Sequence, residues 1–474
     1  MYQDVPGAKI FKLIDNEIFM SVSPIEYRYG RSQVKRIFSE NERYIYMTMV
    51  ESAAMQAQAE FGLIPKEAAE MIKKVVDSRN ISLDRIKEIE KETKHDIMSM
   101  IRVLTEMSPE GGKYLHIGLT SNDIIDTGQA LQLKDFMKYF LADFSEIQNV
   151  LSVLIKKYKR LPMMGRTHGQ HASPVTLGLK FSVFLAEFNR HATRLIEAKD
   201  RILVGKLLGP VGTGASIGKD ALKIQKRCMD ILGLGVESNP TQVTGRDRLI
   251  EYLSIINNTA TTLEKFATEI RNLQRPEIGE LTEAFDEEKQ VGSSSMPSKR
   301  NPITCENITS LSRLIRAFII PEYEAAVTWH ERDLTNTALE RFTIPYSSIL
   351  IDDVMQKMIR VLKTLGVHEK RIRENLLSDY LAMSESVVTH LALNGIPRQQ
   401  AHELVREASM KTSSKDDFIS FIVSGTGGSV TNKFVSDALK PSNFIGVSNN
   451  ICSNTIASTK KLNKKIDGMI TELK

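Results

Sequence analysis

The 474-residue sequence has only three cysteines, Cys228, Cys305 and Cys452, and they lie far apart. An odd number at wide spacing excludes a disulfide framework and a zinc ribbon, and it favours a reducing compartment. No uninterrupted apolar run approaches the roughly 18 residues that a membrane helix needs. Charged residues interrupt the most apolar N-terminal stretch, which excludes a signal peptide. We therefore expect a cytoplasmic protein with no membrane partner.

A large excess of charge of one sign is also absent. Lysine and arginine number 63, aspartate and glutamate number 58, and the formal net charge is +5. This excess is too dilute to predict nucleic-acid binding, although it suits a site that receives anions. The glycine-rich stretch 207–216 lacks the residue order of a dinucleotide or P-loop fingerprint. With no metal-ligand spacing either, we expect neither a cofactor nor a metal.

What the sequence does contain is helical periodicity along most of its length. Between Asn122 and Arg160 there is no proline and one glycine, and apolar residues recur at steps of three and four. This pattern predicts a helix of about 39 residues, roughly 58 Å long. Thr120 to Asn122 are good N-cap candidates, and Leu161–Pro162 ends the helix.

Three more long helical segments are predicted, over about 173–204, 244–273 and 301–363. Ser–Pro and Asn–Pro pairs supply a cap and a first-position proline for the first and third segments, and Pro321 and Pro345 are expected to interrupt the third. Helices of this length with wide apolar faces bury more surface than one pairwise contact supplies. We therefore expect an all-α bundle that is extended by helices of other subunits.

Composition shifts suggest two domain boundaries, one at Ser108–Gly112 and one at Leu365–Gly366. The expected organisation is an N-terminal helical domain (1–110), a central domain of very long helices (111–365) and a C-terminal helical domain (366–474).

The most unusual stretch is GSSSMPSKRNP, from Gly292 to Pro302. Serine-rich segments of this kind are usually exposed flexible loops. This one, however, ends in Lys299 and Asn301 at a predicted helix N-terminus, where free N–H groups and the helix dipole favour an anion.

The stretch matches the signature GSSxMPxKxNP, and the chain resembles the fumarase/aspartase superfamily. Three further segments resemble the adenylosuccinate lyase family within it: GLTSND at 118–123, RTHGQHASP at 166–174 and WHERDLTNTALER at 329–341. The resemblance implies a homotetramer in which four central domains form a 20-helix core. It also implies active sites that each take residues from three subunits.

The activity implied by this resemblance is β-elimination of fumarate from adenylosuccinate, giving AMP, and from the succinylated aminoimidazole carboxamide ribotide of purine synthesis. Such a reaction needs a base for a carbon-bound proton, an acid for the departing nitrogen, and donors for the charge between them. Two alternatives stay open at this point. One is another fumarate-releasing lyase of the superfamily, and the other is a non-catalytic helical scaffold derived from one.

The resemblance also implies catalytic roles. Ser293 matches the family's base, with the adjacent Ser294 as its competitor and as a substrate-binding residue. Lys299 and Asn301 match the groups that hold the substrate carboxylate. His168 matches the general acid, because imidazole titrates near neutrality. Glu306 has the spacing of the glutamate that polarises this histidine, although a carboxylate in a helix's first turn has a structural explanation too.

The remaining assignments concern substrate binding, and each has a plainer structural alternative. A His–Asp pair is commonly a surface hydrogen bond, Thr–Ser a helix cap, an Arg-rich face a solvated one, and a lone glutamine a surface residue. Asn122 stands where the family usually has Thr, and Thr337 stands where it has Ser. By resemblance the substrate-binding residues are Arg28, Tyr29, Asp96, Thr120, Ser121, Gln242, Arg332, Thr337 and Arg341. His95, which the family places against the substrate, is implied to be catalytic.

Overall fold

The computed structural model describes residues 22–285, 295–296 and 298–473, and nearly all regular structure in these ranges is helical. The N-terminal helices are α1 (Pro24–Tyr27), α2 (Ser32–Ile37), α3 (Glu40–Glu60), α4 (Lys66–Asp77), α5 (Leu83–Thr93), α6 (Asp96–Met107) and α7 (Pro109–Gly112). The predicted all-α class is confirmed.

The central elements follow in chain order. They are α8 (Ser121–Tyr158), β1 (Pro162–Thr167), β2 (Gln170–Thr176), α9 (Leu177–Ile202), β3 (Val204–Gly205), α10 (Ala221–Leu232), β4 (Gly235–Val236), α11 (Asp247–Gln274), β5 (Leu281–Thr282), α12 (Ile303–Ala317), α13 (Ile319–Ala325) and α14 (Thr337–Lys363). The strands form small two-stranded sheets, of which β1–β2 is antiparallel and β3–β4 parallel.

The C-terminal elements begin with β6 (Gly366–Val367), which pairs with β5. Helices α15 (Glu369–Leu377), α16 (Ser384–Leu393), α17 (Arg398–Lys411), α18 (Lys415–Gly425), α19 (Asn432–Ala438) and α20 (Ser448–Glu472) follow, with 3₁₀ turns at Tyr380–Met383 and Pro441–Phe444.

The predicted longest helix is confirmed as α8, which has 38 residues and Thr120 at its N-cap. Phe136, Phe140 and Phe144 recur every four residues on one face, with successive ring centroids 5.6 and 4.7 Å apart. Tyr252 of α11 meets Phe136 edge-on at 6.4 Å. This aromatic row shows why the helix is stable at such length: its apolar face is buried against neighbouring long helices.

The predicted helix start at Ser173–Pro174 is wrong, because both residues lie in β2. The helix α9 begins three residues after Pro174, where the Thr176 hydroxyl accepts a hydrogen bond from Leu179 N at 3.1 Å. The preceding segment is a β-hairpin closed by a two-residue turn at His168 and Gly169. Both turn residues have positive φ, 53° and 76°, as a tight hairpin turn of this kind requires.

The predicted 301–363 helix is divided differently from the expectation. Pro302 is the N-cap of α12 rather than its first helical residue. Pro321 lies in the first turn of α13, and Pro345 lies inside α14. The long interruption is instead the segment 326–336, between α13 and α14.

Two clusters of buried apolar residues make up the core of the described chain. The larger cluster joins residues from Ile25 to Leu473, and the smaller one lies within 383–439. Helix α20 returns to the larger cluster, where Asn189 Nδ2 donates to Thr459 Oγ1 at 2.8 Å. The domain limits at 110 and 365 remain a prediction. In the part of the chain that the structure describes, no helix is both long and apolar enough to cross a bilayer.

Candidate active site

The N-terminus of α8 carries Thr120 and Ser121 at a partly exposed position. On the buried side of this helix end, Asp123 Oδ2 accepts hydrogen bonds from Thr120 N at 2.9 Å and from Gly209 N at 3.1 Å. The same carboxylate is paired with Lys206, and both side chains are fully buried. Because Asp123 is neutralised within the fold, its negative charge does not oppose an anion at this helix N-terminus.

A cavity of about 250 Å³, here called the arginine cleft, opens beside this helix. Its lining includes Arg43, Asn122, Arg332, Thr337, Glu340 and Arg341. The cleft therefore contains three of the residues that the sequence predicted to bind substrate: Arg332, Thr337 and Arg341.

Arg332 is the central cation of the arginine cleft. Its guanidinium donates to Gln242 Oε1 at 2.9 Å and to Thr337 Oγ1 at 2.7 Å, so three predicted residues meet here. The Nε atom is buried and has no hydrogen-bond partner among the described residues. Burial lowers the pKa of Arg332. A partly buried cation whose hydrogen-bond partners are neutral has the chemistry to bind an anion.

The buried carboxylates near Arg332 are paired with another arginine. Arg246 donates to Asp126 at 2.7 and 3.1 Å and to Glu340 at 2.7 and 3.0 Å, and all three side chains are buried. Asn122 Nδ2 also donates to Asp126 Oδ1, at 3.1 Å. Arg246 thus neutralises its acidic neighbours and leaves the positive charge of Arg332 available.

His95 and Asp96 lie next to the arginine cleft at the start of α6. His95 is the N-cap residue, and its Nδ1 accepts from Met98 N at 3.4 Å. The Asp96 carboxylate is 3.7 Å from a guanidinium nitrogen of Arg43 and 3.7 Å from one of Arg341. Asp96 therefore connects the predicted His–Asp pair to the arginines. Arg43 was missed by the sequence reasoning, because a lone arginine on a helix carries no motif.

Arg28 and Tyr29 lie in a second cavity of about 480 Å³, here called the N-terminal cleft, whose lining also includes Lys357 and Arg360. The backbone N of Gly30 donates to Asp353 Oδ1 at 3.1 Å, which places this turn against the middle of α14. Arg341 lies twelve residues earlier on the same helix, or roughly 18 Å along its axis. Within one chain, the two predicted groups of phosphate-binding residues therefore lie in different clefts.

His168 is exposed at the tip of the β1–β2 hairpin. Arg166, two residues before it, donates to both oxygens of the fully buried Glu280, at 3.0 and 2.8 Å. On the other strand, His171 Nδ1 is 2.9 Å from Asp379 Oδ2. The hairpin is therefore braced on both strands. Within the described ranges, the His168 side chain forms no hydrogen bond or ion pair, and Glu306 is not its partner.

Of the signature residues, Ser293 and Ser294 lie outside the described residues. Lys299 is exposed, and its backbone N donates to Met296 O at 3.0 Å. Glu306 is in the first turn of α12, 3.9 Å from Arg271.

The N-terminus of α12 is fixed by a carboxylate that the sequence reasoning missed. Glu283 accepts from Thr304 N at 2.9 Å and from Cys305 N at 3.0 Å. The side chain of Gln274 accepts from Glu283 N at 2.8 Å and donates to Arg300 O at 3.3 Å. These bonds hold residues 283 and 300–305 together. Lys299 and Asn301 therefore lie beside a helix N-terminus whose position is fixed by hydrogen bonds.

Comparison with known proteins identifies the family of the chain. A family model described as "Lyase" matches residues 26–316, and one described as "Adenylosuccinate lyase C-terminus" matches residues 381–455. The chain is 41% identical over 449 residues to an adenylosuccinate lyase of Pyrococcus abyssi, covering 94% of this chain and 100% of that protein. It is 44% identical over 393 residues to the Archaeoglobus fulgidus enzyme of the same name, covering 83% and 87%.

Solved structures of related helical enzymes have a similar fold. A fumarate lyase from Mesorhizobium sp. BNC1 superposes with a TM-score of 0.82 at 28% identity, covering 90% of this chain and 98% of that one. A 3-carboxy-cis,cis-muconate lactonizing enzyme from Pseudomonas putida gives 0.83 at 26% identity, covering 93% and 99%. From these matches over nearly its whole length, the chain belongs to the adenylosuccinate lyase family.

Proposed function

We propose that the protein cleaves adenylosuccinate to AMP and fumarate, and cleaves the succinylated aminoimidazole carboxamide ribotide in the same way. The observation that carries this proposal is the geometry at Arg332. Among the described residues, no carboxylate pairs with this partly buried guanidinium, which Gln242 and Thr337 hold, so it suits an anionic substrate. The names of the relatives supply the identity of that substrate.

The proposed chemistry is an elimination in which every proton has a destination. Ser293 removes the proton from the carbon next to a substrate carboxylate, and the electron pair forms the double bond of fumarate. The carbon–nitrogen bond breaks, and His168 gives a proton to the departing nitrogen. Lys299 and Asn301 stabilise the carboxylate while it carries additional charge. Glu306 raises the basicity of His168 when the two meet.

Contact between Glu306 and His168 requires more than one copy of the chain. We therefore propose a homotetramer whose active sites are shared between subunits. His168 and Glu306 are not partners within one chain, and the two groups of predicted phosphate ligands lie in different clefts. Exposed apolar side chains flank Arg332 and Thr337, which supports burial of this surface against another subunit. They are Val327, Trp329, Leu334 and Phe342, with 57% to 77% of each exposed.

Two further features of the proposal concern the setting of the enzyme. The three cysteines are buried and unpaired, which supports a reducing, cytoplasmic environment. We also propose three domains per chain, with limits near 110 and 365. The smaller apolar cluster within 383–439 supports a separately packed C-terminal part.

The direct test is ultraviolet absorbance after mixing the protein with adenylosuccinate, and in parallel with argininosuccinate or aspartate. We expect fumarate release from adenylosuccinate alone. Release from argininosuccinate or aspartate would assign a different lyase of the superfamily. No reaction with any of the three, by a folded protein, would support the non-catalytic scaffold.

A further inference from the structure

Lys357 of α14 lies where the N-terminal cleft meets helix α12, and no motif singles it out. Its ammonium donates to Asn307 Oδ1 at 2.6 Å and to Asp353 Oδ2 at 2.5 Å. The same nitrogen is 4.7 Å from the centroid of the Tyr29 ring. An ammonium has three N–H donors, so an amide, a carboxylate and an aromatic face account for its capacity. Lys357 is thus fully engaged within the protein rather than open to a ligand.

Asp353 extends this network to the backbone of the N-terminal turn. One oxygen binds Lys357, and the other accepts from Gly30 N at 3.1 Å. Gly30 has φ +86°, and a Cβ added there would lie 2.4 Å from Ile349 Cγ2. The turn therefore packs directly on α14 and takes a backbone conformation that favours glycine.

Asn307 extends the network in the other direction, because it follows Glu306 in the first turns of α12. Lys357 thus connects the turn that carries Arg28 and Tyr29 to the helix that carries Glu306. Its side chain is only 16% exposed and that of Asp353 13%, so water screens the pair weakly. A network of this kind restrains both segments relative to α14.

We propose that Lys357 is a positioning residue, which fixes Arg28 and Tyr29 for the phosphate group of the substrate. Arg28 and Arg360 line the same cleft, and neither guanidinium has an ion-pair partner in the described part of the chain. Lys357 adds positive charge, but its main effect is on the placement of the Tyr29 ring and the turn after it. This inference rests on the proposed function, because it assigns the cleft to the substrate's phosphate.

The test compares Lys357→Met with Lys363→Met, a matched control on the same helix. Lys363 is half-exposed and pairs with Glu146 at the surface. KM and kcat are measured with adenylosuccinate and with its dephosphorylated nucleoside, and AMP affinity is measured by calorimetry. For Lys357→Met we expect KM for adenylosuccinate and Kd for AMP to rise about 10-fold, equivalent to about 1.4 kcal/mol. We expect kcat to change less than about twofold.

A second comparison separates positioning from general destabilisation. In an Arg28→Met background, Lys357→Met should have little further effect on AMP affinity, because the group that it positions is gone. If Lys357→Met does not fold, Asp353→Asn provides the same test, since it weakens the ion pair and keeps an acceptor for Gly30 N.

Three results would overturn the inference: unchanged AMP affinity in a folded variant, equal losses for phosphorylated and dephosphorylated ligands, or full additivity with Arg28→Met. A wild-type protein that releases no fumarate would instead contradict the proposed function. The AMP affinities would still decide the role of Lys357 in that case, so the two failures are distinguishable.

Discussion

Replacing Arg332 with methionine separates an anion-binding role from a structural one. The guanidinium has neutral hydrogen-bond partners, Gln242 and Thr337, and burial lowers its pKa. Methionine keeps much of the apolar stem and removes the charge. Two ordinary hydrogen bonds, about 0.5–1.5 kcal/mol each, are lost, but a poorly solvated charge is removed as well. We therefore expect the free energy of unfolding of the ligand-free variant to lie within about 1 kcal/mol of the wild-type value.

Ligand binding should respond much more strongly. A charge-assisted hydrogen bond to a phosphate contributes about 1.5–3 kcal/mol. At about 1.4 kcal/mol per decade, Kd for AMP should rise roughly 10- to 150-fold. Adenosine lacks the phosphate, so its weaker binding should be nearly the same in variant and wild type.

The measurements are isothermal titration calorimetry with AMP and adenosine, and urea denaturation without ligand. Arg373→Met is the control, because within the described ranges Arg373 makes a single exposed ion pair, with Glu369 at 3.6 Å. A ligand-free Arg332→Met variant that is less stable by more than about 2 kcal/mol, with unchanged AMP affinity, would mean that Arg332 is structural. Equal losses for AMP and adenosine would contradict the phosphate assignment.

Other predictions concern stability and pH. Arg246→Met leaves two buried carboxylates unpaired and should lower the free energy of unfolding in urea by about 3–5 kcal/mol, whereas a loss near that of Arg373→Met would contradict the buried network. Burial raises the pKa of the Glu322 carboxyl to about 7. Between about pH 4.5 and 7 the folded state therefore keeps a proton that the unfolded state releases, so the free energy of unfolding falls as pH rises through this range. Glu322→Gln should therefore gain about 1–3 kcal/mol relative to wild type between pH 5 and 8, and a pH-independent difference would refute this titration. Light scattering should give four times the chain mass of 53.3 kDa, and an active monomer would refute the proposed assembly.

The sequence predicted α8 because the information for it is local. A long run without proline, regular apolar spacing and a capping residue at Thr120 are all contiguous in the chain. The β1–β2 hairpin was missed because its formation depends on pairing across a two-residue turn. Ser173–Pro174 has the composition of a helix start, yet strand pairing with residues near Gly165 overrides that local preference.

The candidate site likewise contains residues that the sequence could predict and residues that it could not. Gln242, Arg332 and Thr337 could be named by resemblance, and the structure brings Gln242 and Thr337 within hydrogen-bond distance of Arg332. Arg246 could not be named, because its acidic partners Asp126 and Glu340 are 120 and 94 residues away in sequence. Such a residue has no motif of its own and becomes visible only when distant helices pack together.

The central claim is that residues separated within one chain form a single active site between chains. Mixing two inactive variants, His168→Ala and Ser293→Ala, tests it most directly, with subunit exchange verified by mass spectrometry of differently tagged chains. If the two residues come from different subunits, an equal mixture should regain about a quarter of wild-type activity, the chance that two independently drawn subunits both supply intact residues. Hybrid oligomers with no recovered activity would contradict the shared site.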